Sequence, residues 1–126
     1  MGVTELLSMH TWAVVGLSNN RSRAAFDVAE FLQRKGKRIV PVHPSASSVH
    51  GEIGYRTLTD IPFPVDVVDC FVRSSLVGAV VDGAITIGAR GVWFQLDVVD
   101  EAAASRAETA GLIVVHDKCP KIEWPR

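Results

Sequence analysis

The stretch Ala13–Leu32, "AVVGLSNNRSRAAFDVAEFL", changes character twice. A Val-rich run stops at Gly16. A polar loop follows, carrying Ser18, Asn19, Asn20, Arg21 and Arg23. Then Ala25, Val28, Ala29 and Leu32 recur at the spacing of one helix face, with Asp27, Glu30, Arg34 and Lys35 mostly outside it. Gly36 is placed to end that helix. Strand, loop and helix in this order open a doubly wound α/β domain.

The same alternation continues along the chain. Five apolar runs of strand length occur at 12–16, 38–42, 65–71, 91–96 and 112–116. They are continuous rather than alternating, as in parallel strands buried on both faces. Val77, Val80, Val81 and Ala84 mark a second helix closed by Gly88. Asp100 is a cap for a third, "EAAASRAETA", with Gly111 beyond it. Ala103, Ala107 and Ala110 let that helix lie close to a sheet. Residues 43–64 are loop-like, with a short helix expected near Thr57–Ile61, and "VTELLSMH" reads as a short outer helix. The expected fold is α/β: a doubly wound, parallel, five-stranded sheet of order 3-2-1-4-5. One conflict stands. Pro41 lies inside the second run and cannot donate to a ladder, so it belongs at a strand's end or beside an unpaired edge.

Composition narrows the function. The 126 residues suit one domain over residues 1–126, and 48% are apolar, far from a disordered composition. Thirteen basic and 14 acidic residues leave a net charge of −1, so no broad basic face is available for nucleic acid. No secretory signal, myristoylation motif or apolar span marks the chain for export or a membrane. Two cysteines, Cys70 and Cys119, then fit a reduced, cytoplasmic protein. The sheet's exposed edges leave room for a homodimer.

Ligands of open α/β sheets bind where the strand order reverses, beyond the strands' carboxyl ends. In the expected order that point lies between the first and fourth strands, and "GLSNNRSR" falls there. The next helix aims free N–H groups and a positive dipole end at it. Arg21 and Arg23 add charge in a geometry that suits phosphate. A solvated turn with two surface arginines is the plainer reading. A dinucleotide fingerprint is absent, since Ser18 stands where a second glycine belongs and His43 where an acidic residue would hold a ribose. No Walker pattern is present. Phe71 and Arg73 end the third run, Gln95 and Asp97 the fourth, and Lys118, Cys119 and Lys121 follow the fifth. Arg21, Arg23, Arg73 and Lys118 then form a phosphate-binding rim, or else scattered solubilising charge.

The ordered set V-G-x-S at 15–18, P-V-x-P at 41–44, V-D-x-V-D-x-F-x-R at 65–73, V-W-x-Q at 92–95 and D-x-C-P at 117–120 resembles the small stand-alone coenzyme A-binding proteins. Their domain is similar to the N-terminal domain of the succinyl-CoA synthetase α subunit. The resemblance spans about residues 10–123. It implies a Rossmann-like fold holding coenzyme A or acyl-CoA, with Gly16, Leu17, Ser18 and Arg23 at the pyrophosphate. It implies Val42, His43 and Pro44 beside the adenosine, and Phe71, Val72 and Arg73 over the ribose and phosphate side. Cys119 and Pro120 would lie near the pantetheine path, while Trp93 and Gln95 would support the sheet's end. Three positions depart from the family pattern: His43 for Asn, Ala25 for Ser, and Asp97 for Gly.

Catalytic signals are weak beside these. His10, His43, His50 and His116 have no metal-ligand spacing. His116 reads as a structural strand-end residue. Asp66 and Asp69 read as a backbone anchor and a sheet-face group. Cys119 reads as a small packed residue, or as a thiol sharpened by Lys118 and Lys121. Non-enzymatic binding of coenzyme A or acyl-CoA is the favoured reading. The alternatives are an NAD(P)- or acyl-transfer enzyme component needing a synthetase-like partner chain, and an interaction module whose ligand site has decayed.

Overall fold

A computed structural model describes residues 2–125. Five parallel strands form one sheet: β1 (Thr11–Val15), β2 (Arg38–Val42), β3 (Val67–Cys70), β4 (Gly91–Phe94) and β5 (Ile113–Val115). The helices are α1 (Gly2–Leu7), α2 (Ala24–Arg34), α3 (Ser74–Thr86), α4 (Glu101–Thr109) and α5 (Pro120–Glu123). A 3-10 turn at Leu58–Asp60 interrupts the long β2–β3 connection, where a short helix is expected. The sequence carries no comparable signal for α5, which Pro120 starts at its first position.

Each sheet face has its own core. On one side Ala13, Val40, Val68, Val92 and Phe94 meet Val77, Val81 and Ala84 of α3 and Ala103, Ala104 and Ala107 of α4. Ala110 lies past α4 and is exposed, so the close packing uses Ala104 instead. On the other side Trp12, Val14, Ile39, Val67 and Trp93 meet the stripe Ala25, Val28, Ala29 and Leu32 of α2. Leu6 and Leu7 of α1 close the same core. Two fully buried tryptophans, Trp12 and Trp93, stand with ring centroids 5.6 Å apart. Each indole N–H finds a carbonyl, Trp12 that of Met9 at 3.0 Å and Trp93 that of Lys118 at 2.8 Å, so neither ring buries an unmade hydrogen bond. No helix among the described residues is long and apolar enough to cross a membrane.

The strand order is 2-1-3-4-5, not the expected 3-2-1-4-5. The class of fold is as expected, but β3 lies on the opposite side of β1. Pro41 shows why. In the expected order β2 would be flanked on both sides, and a residue without an N–H would break one ladder. In the structure β2 is an edge strand. Val42 faces β1, its carbonyl accepting from Gly16 N at 2.8 Å, while Pro41 faces outward and its carbonyl accepts from Tyr55 N at 2.9 Å. Asp66 pins β3 beside β1: its Oδ2 accepts from Thr11 N at 3.0 Å, and its own N–H donates to Thr11 O at 3.0 Å. The order therefore reverses between β1 and β3 rather than between β1 and β4.

Gly16 ends β1 at this reversal. Its φ is +102°, and a Cβ there would stand 2.3 Å from the carbonyl oxygen of Phe71. Both terms penalise any side chain. Gly16→Ala is expected to cost at least ~2 kcal/mol and to lower Tm by roughly 10 °C, read from a thermal melt. An unchanged melt would show that β1 and β3 can part at their ends without loss.

Candidate functional site

Beyond the carboxyl ends of β1 and β3 two cavities open side by side, sharing Gly16, Arg23, Phe71, Val72 and Arg73 in their walls. The larger, ≈ 580 Å³, extends toward Val42, His43 and Pro44 at the end of β2. The smaller, ≈ 400 Å³, extends under the start of α2 toward Gln95, Leu96, Val98 and Cys119. Together they form one cleft with a polar, basic end and a more apolar end.

Where α4 is capped by Asp100, whose carboxylate accepts from Ala103 N, α2 and α3 begin after Arg23 and Arg73 with no side-chain cap. Each helix leaves first-turn N–H groups without side-chain partners. Two positive helix ends, each preceded by an arginine, thus border the same cleft. Arg56 lines the larger cavity as a third cation.

The loop between β1 and α2 is held by its own side chains. Asn20 Oδ1 accepts from Ser22 N at 3.1 Å and from Ser22 Oγ at 2.6 Å. Asn19 donates to Ser48 O at 2.8 Å, tying this loop to the one after β2. His43 Nδ1 accepts from Ser45 N at 3.1 Å, which in the neutral ring leaves the proton on Nε2. That nitrogen is then the donor His43 has for a ligand.

Of the residues singled out in the sequence, Gly16, Ser18, Arg23, Val42, His43, Pro44, Phe71, Val72, Arg73 and Cys119 line the cleft. Three do not. Leu17 is fully buried in the α2-side core, so its side chain has no access. Arg21 reaches over the Phe26 ring, its guanidinium carbon 5.7 Å from the centroid. Lys118 is exposed and meets the core through its backbone, its carbonyl accepting from Trp93 Nε1 and its N–H donating to Phe94 O at 3.4 Å. Among the described residues the cations lining the cleft are therefore Arg23, Arg56 and Arg73, rather than Arg21, Arg23, Arg73 and Lys118. Arg56 sits in the aperiodic 43–64 segment, where only the loop's fold brings it to the site.

Of the three departures, Ala25 lines the smaller cavity, where it presents a methyl group and no hydroxyl. Asp97 is exposed and lines neither cavity; its N–H donates to Asp117 Oδ1 at 2.9 Å. Lys121 is engaged with Asp27 at 2.7 Å. The histidines are scattered: His50 Nε2 pairs with Phe26 O at 2.8 Å, and the His116 ring stacks edge-on against Phe94. No cluster of metal-ligating side chains occurs among the described residues. Both cysteines are free, Cys70 buried and Cys119 half-buried.

Gln95 does more than support the sheet, because it also lines the smaller cavity. Its Nε2 donates to Oδ1 of Asp69, a carboxyl with no solvent exposure whose Oδ2 has no partner among the described residues. Burial pushes Asp69 up to about 8, against the lowering pull of the Gln95 amide. Burial, then the charge on Asp69, also pushes the Cys70 thiol up.

The model of the CoA binding domain family matches residues 10–125. The uncharacterized protein YneT of Bacillus subtilis (strain 168) is 32% identical over 110 residues, covering 87% of this chain and 82% of YneT. A hypothetical protein from Pyrococcus horikoshii OT3 superposes with a TM-score of 0.92 at 36% identity, covering 96% of this chain and 86% of that one. The dinucleotide-forming acetyl-coenzyme A synthetase 1 of Ca. Korarchaeum cryptofilum shares the fold: TM-score 0.77, 24% identity, 89% of this chain but 27% of the synthetase.

The raised Asp69 carboxyl makes stability depend on pH. In the unfolded chain the group loses its proton near the usual carboxylate range, about pH 4. In the fold it keeps the proton up to about 8. Its stabilising contribution is full at low pH and is lost as pH rises through that window. Asp69→Asn is expected to flatten the fall in Tm between pH 5 and pH 8 and to raise Tm at the upper end. Parallel melting profiles for the two proteins would show that Asp69 is ionised throughout.

Proposed function

The chain belongs to the CoA binding domain family, and from that membership and the cleft's construction we propose that it binds coenzyme A or an acyl-CoA without itself catalysing a reaction. The observation that carries this reading is the pair of uncapped helix starts, α2 and α3, each behind an arginine, on one cleft of a chain of net charge −1. Such a site offers backbone N–H groups and bidentate guanidinium forks to phosphate oxygens. Arg23 and Arg73 take the pyrophosphate and Arg56 the remaining phosphate. His43, Val42 and Pro44 border the adenine end. Gly16 lets the backbone come near the phosphates. The arm that carries the thiol runs into the smaller cavity toward Cys119.

The proportions support this ligand over a dinucleotide. The end of β2 offers His43 where a ribose diol would need a carboxylate. A phosphate-rich nucleotide with a long, uncharged tail matches one basic and one more apolar cavity. The likeness to part of a much longer synthetase supports a second possibility for use, that the loaded domain serves a partner chain.

Isothermal calorimetry with coenzyme A, dephospho-coenzyme A and NAD tests the reading. Coenzyme A is expected to bind best, dephospho-coenzyme A more weakly, and NAD least. Arg23→Ala and Arg73→Ala are each expected to weaken coenzyme A by about tenfold or more, the size of a lost charge-assisted hydrogen bond. Equal binding of the three ligands, or none, overturns it.

A further inference from the structure

The wall of the smaller cavity includes one polar side chain that is itself almost wholly buried, Gln95, with Asp69 behind it. By register Asp69 lies between Val14 of β1 and Trp93 of β4, both fully buried and apolar in contact. Its hydrogen-bond partner among the described residues is the Gln95 amide, and one carboxyl oxygen has none. The other titratable or charged groups around the cavity are Cys119 ahead of α5, Arg23 ahead of α2 and Arg73 ahead of α3. Cys70 follows along β3 but packs in the opposite core. None of these hydrogen-bonds to Asp69 among the described residues.

Resting on the coenzyme A reading above, we propose that Asp69 is a positioning residue whose protonation state selects which end of the Gln95 amide faces the ligand's amide-bearing arm. The chemistry is that of the two groups. An ionised carboxylate only accepts, so it holds an N–H of Gln95 and leaves Oε1 to the cavity. A protonated carboxyl carries an O–H that needs an acceptor, and Gln95 Oε1 is the acceptor beside it. Meeting that demand draws Oε1 away and leaves an amide N–H toward the cavity. The terminal torsion of a glutamine is soft enough to allow both arrangements. The cavity wall thus changes from acceptor to donor when one proton arrives beneath it. A carboxyl that titrates far from its usual range, as burial makes this one do, brings the change near neutral pH.

The arrangement in the structure, with Nε2 toward Asp69, offers Oε1 to an amide N–H of the pantetheine arm. Binding then favours the ionised form and releases a proton. Coenzyme A affinity is expected to rise by roughly tenfold between pH 7 and pH 9, the change in ionised fraction for a group titrating midway. The ligand 3′,5′-ADP, which lacks the arm, is expected to show no such rise. Asp69→Asn is expected to bind coenzyme A with a flat profile. On labelled native protein, the carboxyl carbon of Asp69 and the side-chain amide nitrogen of Gln95 are expected to titrate together by NMR, a readout that needs neither the variant nor the ligand. A Gln95 amide indifferent to the Asp69 titration overturns the proposal, as does a coenzyme A profile that is the same in native protein and Asp69→Asn. If neither coenzyme A nor 3′,5′-ADP binds at any pH, the ligand reading falls instead, and the NMR titration alone decides the link between Asp69 and Gln95.

Discussion

The architecture turns on the parting of β1 from its two neighbours at Gly16. Val15 O accepts from Phe71 N at 2.9 Å on the β3 side, and Gly16 N donates to Val42 O at 2.8 Å on the β2 side. The chain there is bonded in both directions within two residues, and then must leave the sheet. It can do so only because no Cβ intervenes between Gly16 and the Phe71 backbone. One consequence is geometric. The loops that leave β1 and β3 diverge to opposite faces, α2 to one and α3 to the other, and the space between them becomes the cleft. A second is electrostatic. Both helices begin at that divergence, so their positive ends converge where the strands separate.

The cleft's basic character is local in a chain with almost no net charge. At α4 the Asp100 carboxylate accepts from Ala103 N and closes the helix start. At α2 and α3 the position before the helix is arginine, which cannot accept from the first-turn N–H groups and adds to their positive field. For stability alone that choice is poor by about 1 kcal/mol per helix relative to a good cap. An anion between the two ends would supply what the missing caps do not.

How much of this was legible in the sequence follows from what kind of interaction sets each feature. The strands and the three longer helices show in residue spacing because each buries a face of its own: the Ala25–Leu32 stripe and the Val77–Ala84 stripe are local signals. Strand order is not local, and continuous apolar runs say that a strand is covered without saying by which neighbour. Pro41 held the missing information, since a residue with no N–H suits an edge strand, but it excludes an order rather than naming one. Arg73 was legible because it follows the end of β3, and Arg23 because it directly precedes the helical stripe of α2. Arg56 was not, because the loop carrying it reaches the cleft through the isolated pairing of Tyr55 with Val42 at the sheet edge. Leu17, Arg21 and Lys118 illustrate the converse. Being near the site in sequence leaves open which way a side chain points: the core claims Leu17, the Phe26 ring faces Arg21, and Lys118 is exposed outside the cavity linings.

Asp69 marks the limit of reading by pattern and the start of reading by cost. Within "VDVVDCF" it looks like the second member of a pair with Asp66. Asp66 is satisfied at the strand's beginning by the Thr11 backbone, where a carboxylate remains half in solvent. Three residues on, Asp69 is sealed between two apolar neighbours with one oxygen unmatched. A buried polar atom without a partner opposes folding by about 1–3 kcal/mol, and an apolar residue of similar size would avoid that. Nothing in the packing of β3 requires a carboxyl at this point, since Val14, Val67 and Trp93 fill the same core without one. What a carboxyl does that valine or leucine cannot is orient the Gln95 amide. Gln95 in turn is a polar group facing the apolar half of the cleft. The cost at Asp69 therefore makes physical sense as part of the cleft, where the direction of a single amide decides what the wall can recognise.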